Sequence, residues 1–177
     1  MSLLNIHGLT TRLASEAGWV HALDDISLAI EKGQTFALVG ESGCGKSMTA
    51  LSIARLLPDS GAIVAGQVRL NESSAGANSN STDVLRISET AMRTLRGKRI
   101  AMIFQEPGTS LNPVMTVGDQ LTEIICLHTG ANKAQALKEA QEWLGRVGIP
   151  EPKKRLQQYP FEMSGGQKQR VMIAMAL

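Results

Sequence analysis

The sequence predicts a three-layer α/β core with an antiparallel β edge and an inserted helical subdomain, and three observations carry that reading. An apolar run, Thr35–Val39, leads through a glycine-rich turn into a stretch with apolar residues at helical spacing. Two segments ahead of it, Leu3–Leu9 and Ile26–Ile30, read as strands of a half-buried sheet. From Gly108 onward the period changes from two to helical and stays there. These changes divide the chain into an α/β core with its antiparallel part over 1–104, a helical subdomain over 105–163 and a closing helix over 164–177.

The first strand covers Leu3–Leu9; in the second, Ile26, Leu28 and Ile30 alternate with Ser27 and Ala29, and a hairpin loop lies between them at Ala14–Gly18. Trp19 follows the loop and is read either as a cover on the sheet edge or as a ring on which a base could stack. Glu31-Lys32-Gly33 turns the chain into Thr35–Val39, which reads as a buried strand.

The turn that follows is Gly40-Glu41-Ser42-Gly43-Cys44-Gly45-Lys46-Ser47, two glycines, a lysine and a serine at the spacing of a phosphate-binding loop. Glycines let the backbone turn tightly and aim successive N–H groups at phosphate oxygens. Lys46 is placed to reach the β- and γ-phosphates as a point charge, and the Ser47 hydroxyl to ligate Mg²⁺. The helix beginning near Lys46 turns its positive end to the same anion. A nucleoside triphosphate with Mg²⁺ is therefore expected, and strand, glycine loop, helix is the order the motif requires.

That helix runs over Ser47–Leu57, with Met48, Leu51, Ile53, Ala54 and Leu57 apolar, and stops at Pro58. Asp59-Ser60-Gly61 is a turn, and Ile63–Leu70 a strand that Gly66 marks as bulged or at an edge. Glu72–Thr82 contains nothing apolar larger than alanine and reads as a surface loop; Asn71 and Asn80 stand in glycosylation-like triplets that carry no weight without a secretory signal. Ser88 caps a short helix to Gly97, with Met92 and Leu95 inward.

Arg99–Phe104 reads as an apolar strand stopped by Gln105-Glu106-Pro107, since Pro107 cannot donate to a ladder. Ligands gather at the carboxyl ends of strands in open α/β sheets. A neutral amide there can ligate Mg²⁺ or hold an attacking water without adding charge beside phosphates, so Gln105 is a site candidate. Thr116 caps a helix carrying Val117, Leu121, Ile124 and Ile125; Asn132 caps another carrying Leu137, Ala140, Leu144 and Val147, closed by Gly148 and Pro150. Lys153-Lys154-Arg155 is a short basic run on a solvated face.

The second informative segment is Met163-Ser164-Gly165-Gly166-Gln167, followed by Lys168-Gln169-Arg170 and an apolar helix to Leu177. Ser164 can cap that helix and offer a hydroxyl, Gly165 and Gly166 allow close approach, and the helix dipole favours an anion. The first loop already wraps one nucleotide's phosphates. A second anion grip is then expected to serve a nucleotide held by another copy, in a head-to-tail dimer with two shared sites.

Composition sets outer limits. The chain has 177 residues, 43% hydrophobic and 19% charged, as in a soluble domain with a sizeable core. A formal net charge of +2, scattered cations and 3% aromatics argue against a nucleic-acid partner. No apolar run approaches a bilayer span and no leader is evident, so the expected place is the cytoplasm. Cys44 and Cys126 lack metal or disulfide spacing and read as reduced thiols, and His7, His21 and His128 share no ligand-like spacing.

Taken together, the phosphate loop, Gln105, the helical insert and Met163–Gln167 closely resemble the ATP-binding subunits of ABC transporters. Ile103–Pro113 (I-F-Q-E-P-x-x-S-L-N-P) and Tyr159–Leu177 look like the branch serving oligopeptide, dipeptide and nickel importers, and Arg55–Pro58 with Ala101–Pro107 most like peptide-uptake subunits. The resemblance implies that Gly40–Ser47 hold phosphates and magnesium, that Gln105 senses Mg²⁺ and the water, and that Ser164–Gln167 contact the ATP of a second ATP-binding subunit, the same or different. It implies that the helices after Gln105 face integral membrane permease subunits, with the protein peripheral on the inner face of the cell membrane. Departures are Leu13 where many relatives place an aromatic under the adenine, and Met163 where leucine is commoner. Two rival functions are a soluble repair or regulatory ATPase of the same superfamily and a nucleotide-binding module that does not hydrolyse. No apolar strand ending in Asp-Glu follows Gln167, so the expectation is an N-terminal portion of a longer ATPase, binding nucleotide without turning it over.

Overall fold

The computed structural model describes residues 2–71 and 81–177, which form two compact units, Met1–Thr94 and Leu95–Leu177. The first unit is built on a sheet of order β2-β1-β3-β4, antiparallel throughout: β1 Ser2–Ser15, β2 Gly18–Glu31, β3 Gly61–Asn71 and β4 Ser81–Asp83. The hairpin of β1 and β2 turns at Glu16 and Ala17, inside the loop expected there, but both strands are far longer than their apolar segments. Bulges explain the difference, because each one breaks the alternation on which a strand reading depends. Between the pairs Thr11↔Leu23 and Arg12↔His21 one extra residue, Ala22, is inserted in β2. Opposite Gly8 and Leu9, Gly66 of β3 has φ +104°, and a Cβ there would lie 2.6 Å from the Gly8 carbonyl oxygen. At Gly66 the extra residue belongs to β1, where Gly8 and Leu9 face it, and the extra residue of β3 itself is Val64; β4 pairs only with Arg69–Asn71, so among the described residues β3 has β1 as its ladder partner at Gly66 and is an edge there.

Helix α1 (Lys46–Ala54) ends three residues earlier than its apolar pattern, because Arg55 takes a left-handed conformation (φ 51°) and caps it. The Arg55 guanidinium then donates to the carbonyls of Val84 and Ile87, at 3.2 and 2.8 Å, fixing the segment after β4. The buried positions of α1 are Thr49, Ser52 and Ala54, whereas Met48, Leu51 and Ile53 are only half-buried; small residues let the helix lie close to the sheet. There the hydroxyls of Thr11 and Ser52, both fully buried, share a hydrogen bond of 2.9 Å. Thr11→Val should lower stability by about 1–3 kcal/mol by leaving a buried hydroxyl unpaired, and adding Ser52→Ala should restore part of it. Urea unfolding midpoints of the two variants check this. Ile6, Leu9, Leu23, Ala54, Val68, Leu70, Val84 and Met92 complete the core of this unit. Helix α2 (Glu89–Leu95) starts as expected, with the Ala91 N–H donating to the Ser88 hydroxyl. Of the polar loop read over Glu72–Thr82, residues 72–80 lie outside the described residues, as does the Asn80 triplet's first residue; Ser81 and Thr82 belong to β4.

Two expected strands do not form. Thr35–Val39 has no ladder partner among the described residues, and Phe36, Leu38 and Val39 are 41, 45 and 90% exposed. Arg99–Phe104 makes a single bridge, Arg96↔Ile100, and Ile103 and Phe104 are likewise exposed. Apolar content sets how readily a segment is buried, but a strand also needs another strand to receive its N–H and C=O groups.

The second unit is helical: α3 Pro107–Ser110, α4 Val117–Thr129, α5 Lys133–Arg146, α6 Pro152–Arg155, a 3-10 turn at Pro160–Glu162, and α7 Gly165–Ala176. The expected caps are in place. Thr116 accepts from the Asp119 N–H, and Asn132 and Gln135 form a reciprocal capping box. Leu121, Ile125, Ala136, Ala140, Leu144, Val171 and Met172 pack as one core, joined by Leu111, Leu156 and Met163. Ala136 replaces the expected Leu137, which is 45% exposed. Gln120 is buried and spends its amide on loop backbone: it donates to the carbonyls of Asn112 and Met115 and accepts from the Asn112 N–H, at 2.9–3.1 Å. Among the described residues no helix is long and apolar enough to cross a membrane.

Candidate nucleotide site

In the first unit the loop Gly40–Ser47 lies exposed at the start of α1, with Gly45 as N-cap and Lys46 as first helical residue. Gly45 has φ +94°, and a Cβ on it would come within 2.8 Å of the Ala22 carbonyl oxygen and 3.0 Å of the Leu23 side chain. The extra residue of the β2 bulge thus backs the loop, and only glycine fits between them. Nothing in the sequence singles out Ala22, because it takes part through its backbone carbonyl and not through a side chain.

The Lys46 ammonium folds over the loop and donates to the carbonyls of Gly40 at 2.8 Å and Glu41 at 2.5 Å, with the Cys44 sulfur at 3.4 Å. It is a cation held above a helix N-terminus, where the first N–H groups have no intrahelical partner and the dipole is positive. The arrangement concentrates positive potential on one small concave backbone, which is what polyphosphate requires. Ser42, Gly43 and Cys44 form the exposed turn, and the exposed Ser47 lies at the second helical position. Its hydroxyl is a hard oxygen ligand suited to Mg²⁺, which keeps several waters and takes few protein ligands.

Trp19 does not turn toward this loop. Cross-strand partners share a face, so Trp19 and Ala14 stand with His21 and Arg12, whose guanidinium donates to His21 Nε2 at 2.7 Å. Leu13 and Val20 lie on the other face, with Thr11, which meets α1. Of the two readings of Trp19, the strand face it shares with Arg12 and His21, opposite Thr11, favours the cover on the sheet edge, and it is 60% exposed.

The second unit carries Gln105 and the segment Ser164–Gln167. Gln105 is exposed on a bend just ahead of α3, and α3 packs against α7. At the start of α7, Ser164 Oγ accepts from the Gln167 N–H at 3.3 Å while Gln167 Oε1 accepts from the Ser164 N–H at 3.0 Å. The serine hydroxyl acts there as an acceptor, which leaves its own proton to donate outward. Added Cβ atoms at Gly165 and Gly166 would meet nothing within 4 Å, so the first turn of α7 is open to an incoming group. Met163, immediately before, is buried in the helical core and anchors the turn.

The chain thus combines an antiparallel sheet, a phosphate-loop helix and a helical unit with an open, capped helix start, the parts of an ATP-binding cassette. It belongs to the ABC transporter family, whose sequence profile matches residues 23–177. A Brucella abortus protein named for peptide import ATP binding is 48% identical over 176 residues, covering 99% of this chain and 51% of its own length. The glutathione import ATP-binding protein GsiA of Salmonella typhimurium is also 48% identical over 176 residues, 99% of this chain and 28% of that protein. The chain therefore spans about half the length, or less, of these relatives. The ATP-binding cassette MJ0796, solved as a dimer in a post-hydrolysis state bound to ADP and Pi, superposes with a TM-score of 0.80 at 25% identity, over 98% of this chain and 68% of that one. The α/β reading and the family resemblance of the sequence both hold.

Proposed function

We propose that this chain is the nucleotide-binding part of an importer ATPase that takes up peptides or peptide-like solutes, working with a second ATP-binding subunit on the cytoplasmic face of integral membrane permease subunits. The observation that carries the reading is the phosphate loop, with Lys46 poised over a backbone that Gly45 and Ala22 hold in shape. The names of the import relatives support the transport class, and the dimeric MJ0796 structure with ADP and Pi supports nucleotide use in a dimer. In this reading Gly40–Lys46 bind the β- and γ-phosphates, Ser47 offers its hydroxyl to Mg²⁺, Gln105 offers an amide suited to Mg²⁺ or to an attacking water, and Ser164–Gln167 contact the nucleotide of the second subunit. Magnesium, when bound, neutralises charge on the phosphates during transfer to water. Lys46 and the loop amides hold the γ-phosphate against that charge.

The test is affinity capture from detergent-solubilised membranes in the presence of MgATP. Recovery of integral membrane proteins, reduced when MgATP is withheld, is expected. Binding of MgATP with only soluble proteins recovered would favour the repair or regulatory ATPase instead, and absence of MgATP binding would end both readings.

A further inference from the structure

The first turn of α7 has its side chains exposed or half-buried, and the residues that fix the helix in the core, Val171, Met172 and Ala174, come later. One polar contact ties the helix down between them. Arg170 Nη1 donates to the Gly148 carbonyl at 2.6 Å and reaches the Val147 carbonyl at 3.4 Å, just past the C-terminus of α5. Carbonyls there lack intrahelical donors and carry the negative end of the helix dipole. The arginine in the last turn of α5, Arg146, lies over the Trp143 ring at 4.6 Å, so α7 supplies a cation to these two carbonyls. Gly148 is shaped for the contact: its φ is +76°, and a Cβ on it would lie 2.7 Å from Arg170 Nη1. The next residue, Ile149, is buried in the core, which keeps the turn from drifting.

We propose that Arg170 is a positioning residue: by gripping the Gly148 turn it sets the direction in which α7 presents Ser164, Gly165 and Gly166 to a nucleotide on a second subunit. This deepens the reading above and rests on its claim that Ser164–Gln167 act across a dimer. Arg170 acts through Gly148 and not by touching the ligand, so the two residues form one unit whose effects do not add.

The experiment compares wild type, R170A, R170K, G148A and R170A/G148A of this chain. It measures ATP-dependent self-association by light scattering, ATP affinity by calorimetry, and amide hydrogen exchange of α7 without nucleotide. R170A and G148A should each weaken association by about 5- to 20-fold, a loss of orientation with the binding groups still present. ATP affinity should stay within about 2-fold, since Arg170 and Gly148 lie outside the phosphate loop. The double variant should be no worse than the worse single, and R170K should recover part of the loss, as a single ammonium donor replaces the fork. Exchange at Val171 and Met172 should quicken in R170A and slow again in R170K. Additive losses in the double variant would overturn the proposal, by showing that Arg170 acts on the partner directly. Unchanged association or unchanged exchange in R170A would overturn it too. If wild type does not associate with ATP the dimer reading fails instead, and exchange alone then decides whether the grip on α7 exists.

Discussion

Lys46→Ala should reduce MgATP affinity by about 100-fold or more, on the basis of two charge-assisted hydrogen bonds at about 1.5–3 kcal/mol each. Two losses act together. The ammonium is the side-chain cation held over the loop, and it also crosslinks the carbonyls of Gly40 and Glu41. Phosphate oxygens would replace those carbonyls as acceptors, a like-for-like exchange that costs little because the loop is already shaped. Alanine removes both the attraction and the shape. Lys46→Arg should also bind poorly, since a planar fork is larger than the point charge the loop encloses. The variants should keep the wild-type circular dichroism, because Lys46 is only half-buried at a helix start. Calorimetry with MgATP decides the matter: wild-type-like affinity in Lys46→Ala would overturn the phosphate-loop assignment.

Ser164→Arg should abolish ATP-dependent self-association while leaving nucleotide affinity of the isolated chain within about 2-fold, because phosphate loop and α7 start are separate binding elements. The substitution removes the oxygen that accepts from the Gln167 N–H and sets a long cation in front of Gly165 and Gly166, where the structure is otherwise open. Loss of the cap costs about 0.5–2 kcal/mol of local stability. Ser164→Asn separates the two effects, since asparagine caps as well as serine but lacks the hydroxyl proton. Weak association in the asparagine variant would locate the function in that proton; normal association in the arginine variant, by light scattering, would remove the segment from the dimer interface.

Local signals are legible in the sequence. Thr116, Asn132 and Ser164 cap helices because a cap depends on three or four neighbouring residues, all visible in the sequence. The glycine turn that leads into α1 is legible for the same reason. What depends on distant partners is not. Phe36, Leu38, Ile103 and Phe104 look like buried strand residues, yet burial needs a neighbour that periodicity cannot name. Thr11 and Gln120 are buried although polar, because Ser52 and the Asn112–Met115 backbone satisfy them, and neither partner can be read from the residue itself. The full length of the hairpin was hidden by its bulges, and with it the role of Ala22 behind the loop.

The two tryptophans of the chain fall one in each unit, Trp19 on the outer face of the hairpin and Trp143 against the helical core. Their surroundings differ: the first is largely in water, the second is half-buried beneath a guanidinium. Each unit thus has its own tryptophan, and emission of Trp19 should be red-shifted relative to that of Trp143. Single-tryptophan versions of the chain would let the melting of the sheet unit and of the helical unit be followed separately by emission alone, with no label attached.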